Sequence, residues 1–253
     1  MFNRFTILSL VLCGVVSGHE STKTACGRQL AREGFRTAIW AGFWCNDEST
    51  CATQESLARH SPWMSIETVK TQELRDGVLK GFDALVVPGG YYTQYVEELG
   101  PALDSIQAFV RGGGIYIGVC AGAYVASQGN YCGLNFLPNV EARETWGQGY
   151  AHLTLTGAGR NLLQAPSVVQ GWYKNGPSLF VRPGSGAQVL ATYGGFFRAG
   201  SHPSETGPSL GSVAAVRQTY GRGTVVLFSL HPEFSPAFQP AISNVLSAVA
   251  RGY

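Results

Sequence analysis

The sequence predicts an α/β fold, a parallel sheet with flanking helices and a β-rich C-terminal half, forming one domain over residues 19–253. Three observations predict it. Two short apolar runs, Asp83–Val87 and Ile115–Val119, end at glycine-rich or small-residue turns, as buried parallel strands do. Strand and helix patterns alternate through the first half, the rhythm of βαβ units. From about residue 130 the helical spacing gives way to strand-like segments joined by Gly- and Pro-rich turns.

The first element is not expected in the fold. Arg4 precedes an apolar run, Phe5–Val16, which is shorter than the roughly 20 residues of a membrane span. A basic start, a short apolar stretch and small residues at its end describe a secretory signal peptide over residues 1–18, with Val16 and Gly18 suited to a cleavage site. An anchor helix or a buried first strand are the other readings of this run. Cleavage would leave a chain that is secreted or held in a secretory lumen, with no membrane attachment. Phe35–Gly42 then reads as a strand, Glu48–His60 as a helix, Trp63–Val69 as a strand and Asp83–Val87 as a strand closed by Pro88-Gly89-Gly90. Leu99–Val110 has helical spacing and stops at Gly112-Gly113-Gly114. Ile115–Val119 is a strand and Ala121–Ser127 opens a helix. The second half offers strands at His152–Thr156, Val168–Trp172, Gln188–Tyr193, Ser212–Tyr220 and Thr224–Leu230, and a closing helix at Ala237–Ala250.

Composition excludes several functions. Hydrophobic residues make up 45% of 253, enough for a substantial core, while charged residues are only 13%. A net charge of +2, falling to +1 once Arg4 is removed, argues against a nucleic-acid partner. No phosphate-binding glycine loop, dinucleotide fingerprint, C-x-x-C pair or His/Cys metal spacing is present, so neither a cofactor nor a metal is expected. Five cysteines remain after cleavage: Cys26, Cys45, Cys51, Cys120 and Cys132. An odd number in a secreted chain suggests two bridges and one free thiol. Cys45 and Cys51 flank a short polar segment and are expected to pair, which leaves Cys26 with Cys132 by elimination and Cys120 free. Five unpaired buried thiols would be the pattern of a reducing compartment.

Cys120 sits where chemistry is expected. Gly118-Val119-Cys120-Ala121-Gly122 follows an apolar strand and precedes a helix, the thiol counterpart of a nucleophile elbow. A turn that tight needs small residues on both sides, and the helix start aims backbone N–H groups at the sulfur. The Ala121 N–H is placed to meet a developing oxyanion, and the Gly90 N–H in the Gly-Gly turn offers a second donor. A buried cysteine at a glycine-rich strand end is the bland alternative. Of the five histidines, His231 directly follows the strand ending at Leu230, and Glu233 two residues on can orient its ring. Cys120 and His231 thus both lie at carboxyl ends of predicted strands, where sites gather in parallel sheets. The aromatics Trp40, Phe43, Trp44, Tyr91, Tyr92 and Tyr95 lie near strand ends, as pocket walls or as core.

LVVPGG, GGGIYIGVCAGAY and SLHPE, in this order, resemble the class I glutamine amidotransferase-like superfamily. The sequence is more closely similar to the domain at the N-terminus of eukaryotic biotin-protein ligases, in Trp63-Met64, in PGG followed by Tyr95, in GVCAGAY, in Gly171-Trp172-Tyr173 with Gly176-Pro177, and in Val189–Tyr193. The resemblance implies a flavodoxin-like sheet, a triad of Cys120, His231 and Glu233, and an oxyanion hole at Gly90 and Ala121. No ligase segment is read in the chain, so ligation is not expected. The expected function is a secreted cysteine hydrolase that forms a covalent acyl-enzyme on a small-molecule or peptide amide. A γ-glutamyl hydrolase-like peptidase and a non-catalytic binding module on the same fold remain open beside it.

Overall fold

The computed structural model describes residues 34–129, 131, 133–198 and 206–252. The predicted signal peptide, Cys26 and Cys132 lie outside the described residues. The first half alternates strands and helices as predicted, with α2 and α3 added to the elements read from the sequence: β1 (Arg36–Trp40), α1 (Asp47–His60), β2 (Ser65–Val69), α2 (Thr71–Arg75), β3 (Ala84–Val87), α3 (Tyr92–Leu99), α4 (Leu103–Arg111), β4 (Ile115–Val119) and α5 (Ala121–Ala126). The second half is β-rich: β5 (Ser127–Gln128), β6 (Leu137–Arg143), β7 (Gln148–Leu155), α6 (Gly157–Leu163), β8 (Val168–Lys174), β9 (Ser178–Val181), β10 (Gln188–Arg198), β11 (Val213–Tyr220) and β12 (Gly223–Phe228), closed by α7 (Ala241–Ala250).

The sheet runs β2-β1-β3-β4-β12-β11-β10-β7-β8. Its first five strands are parallel, in the flavodoxin-like order with β12 as the fifth strand. Beyond β12 the pairing turns antiparallel through β11, β10, β7 and β8. β3, β4 and β12 are buried at every position, which explains their unbroken apolar runs. Two apolar layers cover the two faces. One packs Ile39, Ile117 and Phe228 under Leu57 of α1 and Val245 of α7. The other packs Leu85, Tyr116 and Leu227 under Ile106 and Val110 of α4 and Val125 of α5. Each such aliphatic side chain, fully buried, contributes on the order of 1.5–3 kcal/mol.

Two local features position the site. The sheet curls: although β8 is four strands from β12 along the order, Trp172 of β8 forms a bridge with His231, just past β12. The curl brings the far edge of the sheet back over the carboxyl ends of the parallel strands. At the other side, α1 starts on a real cap. The Asn46 side chain accepts from the Ser49 N–H at 2.9 Å, and Asp47 and Glu48 occupy the first turn, where the helix dipole favours acids.

That cap corrects one prediction. The polar segment between Cys45 and Cys51 is the N-terminus of α1, not a turn that could fold a bridge closed. Cys45 is a free, buried thiol whose sulfur lies 3.2 Å from the Gly42 N–H and 3.5 Å from the Trp40 carbonyl oxygen. Cys51 is disulfide-bonded, and its partner lies outside the described residues. The predicted pair Cys45–Cys51 therefore does not form, and Cys26 with Cys132 falls outside the described residues.

Candidate active site

Three strand ends meet at one place. β3 ends in Pro88-Gly89-Gly90, β4 in Cys120, and β12 in the Ser229–His231 segment. Cys120 has φ 50° and ψ −101°, a left-handed conformation costly for a residue with a Cβ. The elbow holds it there. Its N–H donates to the Phe228 carbonyl at 2.8 Å, and its carbonyl accepts from the Ala123 and Tyr124 N–H groups of α5. Gly122 must be glycine, because a Cβ there would overlap the Val87 carbonyl oxygen. Ala121 is the first residue of α5, so its N–H has no partner within the helix.

His231 stands opposite. Its Nδ1 is 2.8 Å from Glu233 Oε1, which leaves Nε2 for the Cys120 side. The ring is fixed from several directions. The His231 N–H donates to the Trp172 carbonyl at 2.8 Å, and Ser235 Oγ donates to the His231 carbonyl at 2.7 Å while accepting from the Trp172 N–H at 2.7 Å. A Cβ at Gly89 would lie 2.5 Å from His231 Cε1, so the Gly-Gly turn also sets how closely the ring approaches. Burial pulls the imidazole's pKa down, and the charges of Cys120 and Glu233, with hydrogen bonds to both, more than reverse that and hold it well above the ordinary histidine value. The sulfur has a second neighbour, the Lys174 carbonyl oxygen at 3.5 Å. That oxygen can accept from the thiol.

Glu233 is buried at 2% exposure and shares Oε1 between His231 and a residue the sequence did not point to. Ser49, in the first turns of α1, donates to Glu233 Oε1 at 2.7 Å and accepts from the Gly89 N–H at 3.0 Å. One hydroxyl therefore links the acid behind the histidine to the turn that carries Gly90. The Gly90 N–H takes no part in the bridge between Cys45 and Gly90, whose bonds run from Asn46 N to Gly89 O and from Tyr91 N to Trp44 O. The structure thus brings Cys120, His231, Glu233, Gly90 and Ala121 to one site. By contrast, burial pushes the Cys45 thiol up to about 12, which keeps it a neutral packing group.

A cavity of about 590 Å³ opens over Cys120 and His231. Of the six aromatics anticipated from strand ends, Tyr91 and Tyr92 line it. Trp40 and Tyr95 are fully buried core, packed edge to face at 4.7 Å. Trp146, Tyr150 and Phe234 are walls the sequence did not reveal, as is Trp172, which it gave only as part of a shared motif.

The comparisons with known proteins agree with this architecture. Residues 36–137 match the family described as biotin-protein ligase, N terminal. The biotin–protein ligase of Schizosaccharomyces pombe is 30% identical over 181 residues, which is 63% of this chain and 27% of that protein. The chain thus spans about a quarter of the length of the ligase it resembles. Solved structures share the fold at low identity. A Thermoplasma acidophilum protein assigned to GMP synthase superposes with a TM-score of 0.59 at 14% identity, over 86% of this chain and 94% of that one. A glutamine amidotransferase from Thermotoga maritima gives 0.53 at 13%, over 86% and 83%. A β-galactosidase from Rahnella sp. R3 gives 0.58 at 17%, covering 87% of this chain and 31% of its own. Residues 36–137 are thus similar to the biotin-protein ligase N-terminal domain, and the fold around them is class I glutamine amidotransferase-like, as the motifs predicted.

Proposed function

We propose that the protein is a secreted cysteine hydrolase acting on an amide or related acyl bond. The observation that carries this is Cys120 in a strained elbow facing a buried His231 whose Nδ1 is 2.8 Å from Glu233. In this mechanism the Cys120 thiolate attacks the acyl carbon, and the carbonyl π electrons move to oxygen. The Gly90 and Ala121 N–H groups meet that oxyanion. The imidazolium of His231 gives its proton to the leaving amine as the C–N bond breaks, leaving a thioester on Cys120. Water then attacks the thioester, His231 accepts its proton, and the acid departs as the C–S bond breaks. Glu233 keeps the ring in the orientation both steps require.

Alkylation tests the reading without a known substrate. Cys120 should react with iodoacetamide near neutral pH at least about tenfold faster than free cysteine, and mass mapping should place the label on Cys120 alone. A site that reacts no faster would leave the binding-module reading in its place. Secretion is a separate proposal, resting on the N-terminal pattern and on the disulfide at Cys51. Protein collected from the medium of expressing eukaryotic cells should begin at or near His19; full-length chain still carrying Met1 would remove it.

A further inference from the structure

We propose that the site takes a peptide amide flanked by aromatic or bulky apolar side chains, not the carboxamide of a free amino acid; this rests on the hydrolase reading above. Three observations lead there. The first is the wall. Tyr91, Tyr92, Trp146, Tyr150, Trp172 and Phe234 surround a cavity of about 590 Å³, in the range that encloses a drug-sized ligand. These rings are supported from behind. Tyr92 stacks on Tyr124 at 4.2 Å, and Tyr150 meets Trp172 edge to face at 5.1 Å, with Trp172 itself bonded to the His231 backbone. A wall held this way loses little freedom when a ligand docks.

The second is charge. Among the described residues, the formal charges lining the cavity, apart from the Cys120–His231 pair, are one carboxylate and one ammonium, Glu48 and Lys174. They cancel, so the wall favours a neutral group over an ionic one. The third is reach. Tyr91 is 60% exposed and packs against Trp44 at 5.9 Å, which packs against Phe43 at 5.1 Å, itself 75% exposed. The aromatic row leaves the cavity and continues over the surface. Apolar rings exposed side by side mark a contact surface. An extended chain advances about 3.3 Å per residue, so a peptide covers more of that row than a single amino acid does.

Electrophiles of graded shape test this on the full chain. Labelling of Cys120 would be timed with acetyl-Phe-Phe chloromethyl ketone, acetyl-Gly-Gly chloromethyl ketone, the glutamine mimic 6-diazo-5-oxo-L-norleucine, and iodoacetamide as reference. With the ketones the sulfur displaces chloride: a C–S bond forms as C–Cl breaks, and chloride leaves with the electron pair. Relative to iodoacetamide, the Phe-Phe reagent should react about tenfold or more faster than either the Gly-Gly reagent or the glutamine mimic. That ratio should fall several-fold in Trp146→Ala and, independently, in Tyr150→Ala. Lengthening the reagent by two residues should raise its rate in the wild type and not in Trp44→Ala. A faster glutamine mimic, or an aromatic preference that survives both cavity variants, overturns the proposal and leaves the hydrolase standing. A stable dimer in sedimentation that dissociates in Phe43→Ala assigns the outer row to a second copy of the chain and also overturns it. If no reagent, iodoacetamide included, modifies Cys120 faster than free cysteine, the hydrolase reading itself falls.

Discussion

The buried hydroxyl of Ser49 shows how a single residue can join two halves of a site. It donates to Glu233 and accepts from the Gly89 N–H, so its removal leaves a buried amide without a partner and a carboxylate with one restraint fewer. Hydrogen bonds to charged groups contribute roughly 1.5–3 kcal/mol. Ser49→Ala should therefore lower kcat about tenfold or more, with KM little changed, because Ser49 positions Glu233 and touches no substrate. A KM effect alone, at unchanged kcat, would contradict this role. The histidine offers a second measurement. Its pKa is raised despite burial because Cys120 and Glu233 favour the imidazolium. Taking away a raising charge lets burial dominate, so the NMR titration of His231 should move down in Cys120→Ala and in Glu233→Gln. An unmoved titration in both would mean that neither charge reaches the ring. Cys120, His231 and Glu233 were legible in the sequence because each sits at or next to a strand end with a local signature. Ser49 was not, since 184 residues separate it from Glu233 and nothing in a buried serine announces its partner.

Among the elements, α5 carries the most constraint for its length. All six of its residues are buried, and Gly122 lies against β3 so closely that a Cβ would meet the Val87 carbonyl oxygen, a backbone atom that cannot turn aside. Gly122→Ala should overpack this contact at a cost of about 1–3 kcal/mol, read as a lower urea midpoint, and should slow Cys120 alkylation by shifting the elbow. A variant with wild-type midpoint and labelling rate would show that the helix start tolerates movement. The parallel strands were legible because full burial writes itself as apolar runs. Other elements were hidden for physical reasons. The helix read over Leu99–Val110 starts as α4 only at Leu103: Leu99 ends α3, which the sequence did not reveal, and a single 3₁₀ turn at Gly100–Ala102 intervenes, because Pro101 has no N–H to continue the ladder. β6 carries Pro138, Glu141 and Arg143 on a half-exposed strand, which blurs its alternation, and β9 is four residues long. The residues after Asn46 looked like a turn because a good N-cap and a turn use the same side chains.

Across the whole molecule, the site exists because the sheet curls back on itself. The parallel strands supply Cys120 and His231, and the antiparallel extension returns β8 to close over them, contributing Trp172 and Lys174. The sequence suggested a β-rich second half but not this return, since curl accumulates over many strand pairs and no single residue specifies it. The closure is held by few bonds: His231 N to Trp172 O, Trp172 N to Ser235 Oγ, and Ser235 Oγ to His231 O. Ser235 is buried at 1% exposure, so removing its hydroxyl strands the Trp172 N–H away from water. Ser235→Ala should cost about 1–3 kcal/mol in stability through that unsatisfied donor. It should also loosen the latch locally. Amide exchange at Trp172 and His231 should quicken relative to the parallel strands, and Cys120 alkylation should slow because the histidine's backbone loses its support. Ser235→Thr keeps the hydroxyl and should restore exchange protection if the added methyl is accommodated. Unchanged exchange at Trp172 and His231 in Ser235→Ala, with unchanged labelling, would mean that the curl is maintained by packing of the strands alone and that the serine latch plays no part in shaping the site.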